Sequence, residues 1–305
     1  MKKKLFLILI ILVLGMVGHS RVGDIIPLHE WMVNNDAFTK NENYTIQDIQ
    51  LTGKVALLID ERNNTVLYEK RANKRIYPAS TTKILTALLA LKYGDMDERV
   101  TVGTEIEPQE TGESTAYLVL GDTYTIRDLL AGLMLPSGND AARAIAVYIG
   151  KIIANDERLS NVQATTVFVD EMNTYAKKLG AENSNFINSN GLHEPGHYTT
   201  AYDMAMITLA AIKEKEFMQV VSQSIYQNEH STFKNTNQLL DPNSNYYFEG
   251  VDGIKTGFTD EAGRCLVSSI PLGGRHLIAF IYDSTEEEVF NDATALLNAG
   301  INHNN

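Results

Sequence analysis

The sequence predicts a single α/β domain whose sheet is assembled from both ends of the chain. Residues 54–60 and 65–70 are rich in β-formers and are separated by the turn-prone segment 61–64, which is typical of a hairpin. Residues 266–270 and 277–282 predict two more strands around a glycine pair. Between these two pairs of strands, apolar residues recur at helical spacing. A sheet of sequence-distant strands, with helices between its two halves, is therefore expected.

The predicted helices follow from runs in which apolar residues recur every three or four positions. One of them is almost wholly apolar and follows directly after Pro78-Ala79-Ser80. A last amphipathic helix is expected behind the final strand. The predicted helices cover residues 84–91, 126–135, 141–153, 167–179 and 286–297.

Composition narrows the classes of function. Of the 305 residues, 44% are hydrophobic and 21% charged, which is the balance of a folded globular protein. The net charge of −12 argues against a nucleic-acid-binding protein, because phosphate recognition needs a cationic surface. Cys265 is the one cysteine, so no intramolecular disulfide can form. Its position near the C-terminus also excludes it as a lipid-bearing N-terminal cysteine.

The N-terminal residues have the layout of an export signal. Three lysines in residues 1–4 precede the apolar run 5–17, and residues 1–20 are predicted to be a signal peptide or an uncleaved signal-anchor. Residues 21–51 are polar and aperiodic and are interpreted as a linker or arm. The catalytic domain is predicted to span residues 52–305, with no second domain after it. Any membrane association would then depend on the N-terminal segment.

The first candidate for chemistry is Ser80-Thr81-Thr82-Lys83. Side chains three positions apart on a helix share a face, so Lys83 can reach the Ser80 hydroxyl. A serine needs a neighbouring base to become a good nucleophile. A lysine can be that base if burial or a second cation lowers its pKa. The alternative is that Ser80 only caps the helix. A second copy, Ser231 to Lys234, lacks a following apolar helix and is not expected to be catalytic.

Two further motifs join the first. Ser137-Gly138-Asn139 follows an apolar run. The Ser137 hydroxyl could relay a proton, and the Asn139 amide could hold a peptide group of the substrate. Alternatively, the motif caps the next helix. Lys255-Thr256-Gly257 is expected at a strand edge, where glycine lets a substrate approach the backbone. The ordered set of a Ser-x-x-Lys and a Lys-Thr-Gly motif is typical of penicillin-binding proteins and serine β-lactamases.

With these motifs the chain resembles the low-molecular-weight penicillin-binding proteins of the D-alanyl-D-alanine carboxypeptidase type. The resemblance covers residues 55–300 and includes Tyr77 to Ala90, Leu135 to Ala142 and Val251 to Gly257. It also includes Met172-Asn173, Leu179-Gly180, Asn190-Gly191-Leu192 and Thr200 to Asp203. The resemblance implies an α/β sandwich with a mainly antiparallel five-stranded sheet flanked by helices, and a helical subregion beside the cleft.

The resemblance also implies a role for each motif residue. Ser80 would be the acylated nucleophile, Lys83 its base and Ser137 a proton relay. Substrate would be bound by Asn139, Lys255, Thr256, Gly257 and Phe258, with the Ser80 and Phe258 backbone N–H groups forming the oxyanion hole. The implied reaction removes the terminal D-alanine from peptidoglycan stem peptides, with β-lactams as covalent inhibitors. It requires no cofactor and no metal ion.

The chain departs from this family in two ways. Many relatives carry a smaller β-rich domain and an amphipathic C-terminal helix, neither of which is expected here. Relatives also often have a basic residue between the last strand and the last helix, where this chain has Glu286-Glu287-Glu288.

Three alternative functions remain open: a β-lactamase, a DD-endopeptidase and a non-catalytic wall-binding protein. For the β-lactamase, Glu171 lies in the right region, but the residues that follow it match the deacylating motif poorly. His193-Glu194-Pro195-Gly196-His197 matches a zinc motif that works only on a helix. Because Pro195 and Gly196 break a helix, a loop at the rim of the cleft is expected there instead.

Overall fold

The main sheet combines strands from both ends of the chain, as predicted. The computed structural model describes residues 38–40, 46, 49–228 and 231–303. Its strands are β1 (Thr39–Lys40), β2 (Val55–Asp60), β3 (Thr65–Lys70), β4 (Arg99–Thr101), β5 (Thr123–Thr125), β6 (Ile225–Gln227), β7 (Thr232–Lys234), β8 (Gly253–Thr259), β9 (Gly263–Pro271) and β10 (His276–Ser284). The main sheet has the order β1-β3-β2-β10-β9-β8.

Five of these strands form the antiparallel sheet that the family resemblance implies. Strands β2 and β3 make the predicted hairpin, and β9 and β10 make the second one. Strand β8 pairs with β9 at the other edge of the sheet. The two residues of β1 add a short parallel strand next to β3. The described part of the predicted arm thus contacts the sheet, and Ile49 and Leu51 pack against its core.

Seven α-helices lie in the described residues. They are α1 (Lys83–Tyr93), α2 (Ile126–Met134), α3 (Asn139–Ala154), α4 (Asn161–Lys178), α5 (Ala201–Ala211), α6 (Lys215–Val221) and α7 (Val289–His303). All five predicted helices are present, although α4 starts six residues earlier and α7 three residues later than expected. Helices α5 and α6 escaped prediction. A 3-10 turn, Ala79–Thr82, leads directly into α1.

The sheet separates two packed layers. On one face, α7 packs its apolar side, including Leu296 and Leu297, on Leu58 of β2 and on Ala279 of β10. On the other side, α1 is surrounded by α2 to α6, and every residue from Lys83 to Ala90 is buried. A helix that is apolar all round belongs in such a position. The nucleophile motif is thereby anchored in the centre of the domain.

Membrane attachment was predicted to depend on residues 1–20, which lie outside the described residues. Among the residues that are described, no helix is both long enough and apolar enough to span a bilayer.

Candidate active site

Ser80 and Lys83 form a close hydrogen-bonded pair. Ser80 lies in the 3-10 turn, and Lys83 is the first residue of α1. The Lys83 Nζ atom is 2.8 Å from the Ser80 Oγ atom. The first residue before α1 is Thr82, whose side chain makes no capping hydrogen bond. The local structure thus places the lysine within reach of the serine, and Ser80 is not the cap of α1.

Two carbonyl oxygens hold the Lys83 amine on its other sides. Its Nζ atom donates to Oδ1 of Asn139 at 2.7 Å and to the backbone oxygen of Asn190 at 2.7 Å. A neutral amine has two N–H bonds and one lone pair. With both N–H bonds directed at carbonyl oxygens, the lone pair faces the Ser80 hydroxyl, as a general base requires.

The environment of Lys83 favours this neutral form. The side chain is fully buried, and this burial lowers its pKa well below the ordinary value; the nearby Lys255 ammonium lowers it further. Burial also lowers the pKa of Lys255 itself, to about 7. Burial and the neighbouring Lys255 thus both shift Lys83 towards the neutral amine that a general base requires.

Two glycines allow the backbone to pack closely around Ser80. A Cβ atom at Gly191 would lie 1.9 Å from the carbonyl oxygen of Ala79, and Gly191 has a φ of +86°. A Cβ atom at Gly257 would lie 3.1 Å from the Ser80 nitrogen. Since the contacting atoms are backbone, they cannot move aside cheaply. These contacts bring β8 and the Asn190 carbonyl directly against the turn that contains Ser80.

Ser137 and Asn139 stand at the start of α3. The residue before the helix is Gly138, and no side chain caps it, so the capping interpretation of Ser137 is wrong. Ser137 is buried at the cleft wall with a φ of +66°, in the left-handed region that is strained for a serine. Strain of this kind costs about 1–3 kcal/mol and is concentrated at functional sites.

A buried ion pair, which no motif in the sequence indicates, orients Asn139. Arg143 donates to both carboxylate oxygens of Glu113, at 2.6 and 3.2 Å. Asn139 donates its Nδ2 to the same carboxylate at 3.4 Å, which leaves Oδ1 for Lys83. Arg143 also donates to two backbone oxygens of the 3-10 turn Thr104–Ile106. Glu113 therefore determines which way the Asn139 amide points.

Strand β8 carries the third motif along the cleft. Lys255 is buried, and its Nζ atom donates to the Thr256 carbonyl at 3.1 Å. The Thr256 hydroxyl lies 2.5 Å from the hydroxyl of Thr236, a residue that the sequence reasoning missed. Thr236 is tied to the end of α2, because its amide donates to the Leu135 carbonyl at 3.0 Å.

A cleft of about 560 Å³ opens over these groups. Its lining includes Ser80, Ser137, Asn139, Thr256, Gly257 and Phe258. Phe258 is 48% exposed, and its ring lies under the Arg264 guanidinium. The guanidinium carbon is 4.2 Å from the centroid of the ring. Of the eight site residues predicted from the sequence, six thus line the cleft, and Lys83 and Lys255 lie buried beside it.

The second Ser-x-x-Lys copy forms no such arrangement. Lys234 forms an ion pair with Asp241 at 3.0 Å, and its side chain is 70% exposed. Ser231 belongs to the connection before β7, where its amide donates to Asn228. The copy therefore provides matched control positions for experiments on Ser80 and Lys83.

The zinc-like motif lies in a loop, as predicted. His197 is buried. Its Nδ1 atom accepts a hydrogen bond from the Ile187 amide, and its Nε2 atom lies 2.9 Å from the Thr82 hydroxyl. Burial lowers its pKa to about 4. His193 lies at the cleft rim beside Tyr77 and Glu261. No cluster of three or more potential metal ligands occurs in the described residues.

The fold, and the Ser-x-x-Lys and Lys-Thr-Gly motifs that it brings to one cleft, are typical of one class of protein, the serine enzymes that include penicillin-binding proteins and serine β-lactamases. Residues 40–286 match the sequence family described as D-alanyl-D-alanine carboxypeptidase. The chain belongs to this family, which confirms the resemblance drawn from its motifs.

Named relatives agree with this membership. The chain is 35% identical over 270 residues to the D-alanyl-D-alanine carboxypeptidase DacF of Bacillus subtilis, covering 86% of this chain but 65% of that protein, just under two thirds. It is 34% identical to the D-alanyl-D-alanine carboxypeptidase of Streptomyces sp. strain K15, over 77% of this chain and 82% of that protein.

Solved structures share the fold. The Streptomyces K15 DD-transpeptidase superimposes with a TM-score of 0.78 at 32% identity, covering 84% of this chain and all of that one. Penicillin-binding protein D2 of Listeria monocytogenes, solved with cefotaxime bound, superimposes with a TM-score of 0.71 at 27% identity, covering 84% of this chain and 99% of that one.

Proposed function

We propose that this protein is a serine-type D-alanyl-D-alanine carboxypeptidase that removes the terminal D-alanine from peptidoglycan stem peptides. The observation that carries the proposal is the buried Lys83 amine, 2.8 Å from the Ser80 hydroxyl and held by two carbonyl oxygens. Family membership supports the same activity. Penicillins would acylate the same serine.

In the proposed acylation step, Lys83 takes the Ser80 proton while Oγ attacks the carbonyl carbon of the penultimate D-alanine. The oxyanion that forms would be bound by the Ser80 and Phe258 backbone N–H groups. The peptide C–N bond then breaks. The departing amine of the terminal D-alanine takes the proton from Lys83, with Ser137 as the relay. The product is an ester between the shortened peptide and Ser80.

The same groups would serve hydrolysis of the ester. Lys83 removes a proton from a water molecule, the hydroxide attacks the ester carbonyl, and Ser80 Oγ leaves with the proton returned.

Asn139 would hold the peptide backbone, while Lys255 and Thr256 would bind near the terminal carboxylate. Gly257 would let the substrate lie against β8.

The surroundings of Glu171 argue against the β-lactamase alternative. Its carboxylate accepts hydrogen bonds from Tyr93 at 2.6 Å and Lys92 at 3.0 Å, which joins α1 to α4. Glu171 is absent from the residues that line the cleft. The glutamate considered from the sequence therefore has a structural role, and rapid ester hydrolysis is not expected from it.

The proposed partners follow from this activity. They are stem peptides of the cell wall and β-lactams, with no nucleic acid and with membrane contact only through the N-terminal segment. Because this substrate lies outside the cytoplasmic membrane, we propose an extracytoplasmic location, with the protein secreted or anchored at its N-terminus.

The direct test measures free D-alanine released from a stem pentapeptide ending in D-Ala-D-Ala. We expect one D-alanine per peptide and a tetrapeptide product, detected by mass spectrometry. The same peptide ending in D-Ala-L-Ala is the control and should be cleaved far more slowly. Failure to release D-alanine from either peptide would contradict the proposal.

Two parallel substrates separate the alternatives. Preferential cleavage of a cross-linked peptide dimer would favour the DD-endopeptidase. Rapid, repeated hydrolysis of a penicillin without D-alanine release would favour the β-lactamase. Binding of wall fragments with no cleavage of any substrate would favour the non-catalytic wall-binding protein.

A further inference from the structure

Among the described residues, the lining of the cleft contains one arginine and no lysine. Five carboxylates line the cleft: Glu110, Glu113, Asp260, Glu261 and Glu286. Against them stands the guanidinium of Arg264. Lys255 is buried beside the cleft and has a pKa of about 7. A substrate carboxylate thus meets one dependable cation in an otherwise acidic lining.

Arg264 occupies a defined place beside strand β8, which carries Lys255-Thr256-Gly257. It lies on β9 directly opposite Phe258 on β8. Its guanidinium stacks on the Phe258 ring at 4.2 Å, an arrangement that holds the planar group in one orientation. Phe258 immediately follows Gly257, which contacts the backbone of Ser80. The charge is therefore fixed to the strand along which a substrate would lie.

A carboxylate of the protein itself already occupies this arginine. Arg264 Nη2 is 2.9 Å from Glu286 Oε2, with side chains 33% and 73% exposed. Glu286 lies in the connection between β10 and α7. Partly exposed ion pairs of this kind add little to stability, so a competing carboxylate can displace Glu286 at little cost.

We propose that Arg264 is a specificity-determining residue that binds the free C-terminal carboxylate of the substrate, and that Glu286 competes with the substrate for its guanidinium. This inference rests on the proposed carboxypeptidase function. The planar guanidinium can donate two parallel hydrogen bonds to a carboxylate, and an uncharged carboxamide cannot replace that pairing. The arginine thereby favours peptides that end in a free D-alanine carboxylate.

The test compares two peptides, identical except that one ends in a free carboxylate and the other in a carboxamide. For Arg264→Gln we expect KM for the carboxylate peptide to rise about 10-fold or more, as the loss of a charged hydrogen bond implies. We expect kcat and the cleavage of the carboxamide to change little. Arg264→Lys should be intermediate, because an ammonium keeps the charge but loses the planar fork.

Glu286→Gln should act in the opposite direction. Removal of the competing carboxylate should lower KM for the carboxylate peptide by a few-fold and leave the carboxamide unchanged. The matched control is Arg127→Gln, which breaks another exposed ion pair, with Asp97, in the helical region. This variant should behave like wild type on both peptides. Thermal melting curves show whether each variant is folded.

If Arg264→Gln lowered the rate of cleavage of both peptides equally, the proposal would be overturned, because Arg264 would then have a purely structural role. No change of KM in either Arg264→Gln or Glu286→Gln would also overturn it. If the wild type releases no D-alanine at all, the proposed function fails by itself. In that case the preference for a free carboxylate is measured as the ratio of two rates of Ser80 acylation, by benzylpenicillin and by its methyl ester. The same ratio in wild type and in Arg264→Gln would overturn the role of Arg264.

Discussion

Ser80→Ala is expected to lower D-alanine release by about 10⁴-fold or more, because it removes the hydroxyl that lies 2.8 Å from the Lys83 amine and would form the ester intermediate. The side chain is partly exposed at the cleft wall and only the Lys83 hydrogen bond is lost, so folding should be retained. The measurement is the rate of D-alanine release under single-turnover conditions.

The matched control for this experiment is Ser231→Ala, in the second Ser-x-x-Lys copy, which should keep full activity. Retention of activity by Ser80→Ala, or loss of activity by Ser231→Ala in a folded protein, would contradict the assignment of the nucleophile.

Lys83→Met is expected to lower the rate of acylation by about 10²–10⁴-fold, the usual contribution of a general base. Methionine fills a similar volume but takes no proton, and it leaves Asn139 and the Asn190 carbonyl without their buried donor. Some loss of stability is therefore expected as well, and melting curves separate the two effects. Lys234→Met is the matched control and should be acylated at the wild-type rate.

The pH dependence of the wild type tests the same role. The lowered pKa of Lys83 means that the amine is neutral above that pKa and charged below it. Acylation should fall about tenfold for each pH unit on the acid side. Above pH 7 the Lys255 ammonium loses its proton, since its pKa is about 7, so carboxylate binding should weaken. A rate that is flat from pH 5 to pH 9 would contradict the role of Lys83.

Local patterns predicted much of the fold and of the site. Alternating or continuous apolar runs predicted four strands of the main sheet, and helical spacing predicted five helices. Helix α5 escaped because its apolar residues show almost no helical periodicity, whereas the apolar α1 was marked by the preceding Pro78-Ala79-Ser80. The pairing of Ser80 with Lys83 was predictable because their spacing of three residues brings them together in any helical turn.

Other parts of the site left no local signal. The Asn190 carbonyl that holds Lys83 is a backbone atom, which every residue possesses. Glu113 and Arg143 are 30 positions apart and meet only in the folded protein. Thr236 lies two residues after the second Ser-x-x-Lys copy, a segment without a catalytic pattern, and reaches Thr256 through the packing of the chain. Contacts of this kind depend on tertiary structure.

The most direct test of the account is to trap the intermediate on Ser80. The protein is mixed with a labelled penicillin, its mass is followed over hours, and the modified peptide is then identified. We expect one penicillin per chain, attached to Ser80 and released slowly. Attachment to another residue, such as Ser231 or Cys265, or the absence of any adduct together with rapid penicillin hydrolysis, would contradict the account.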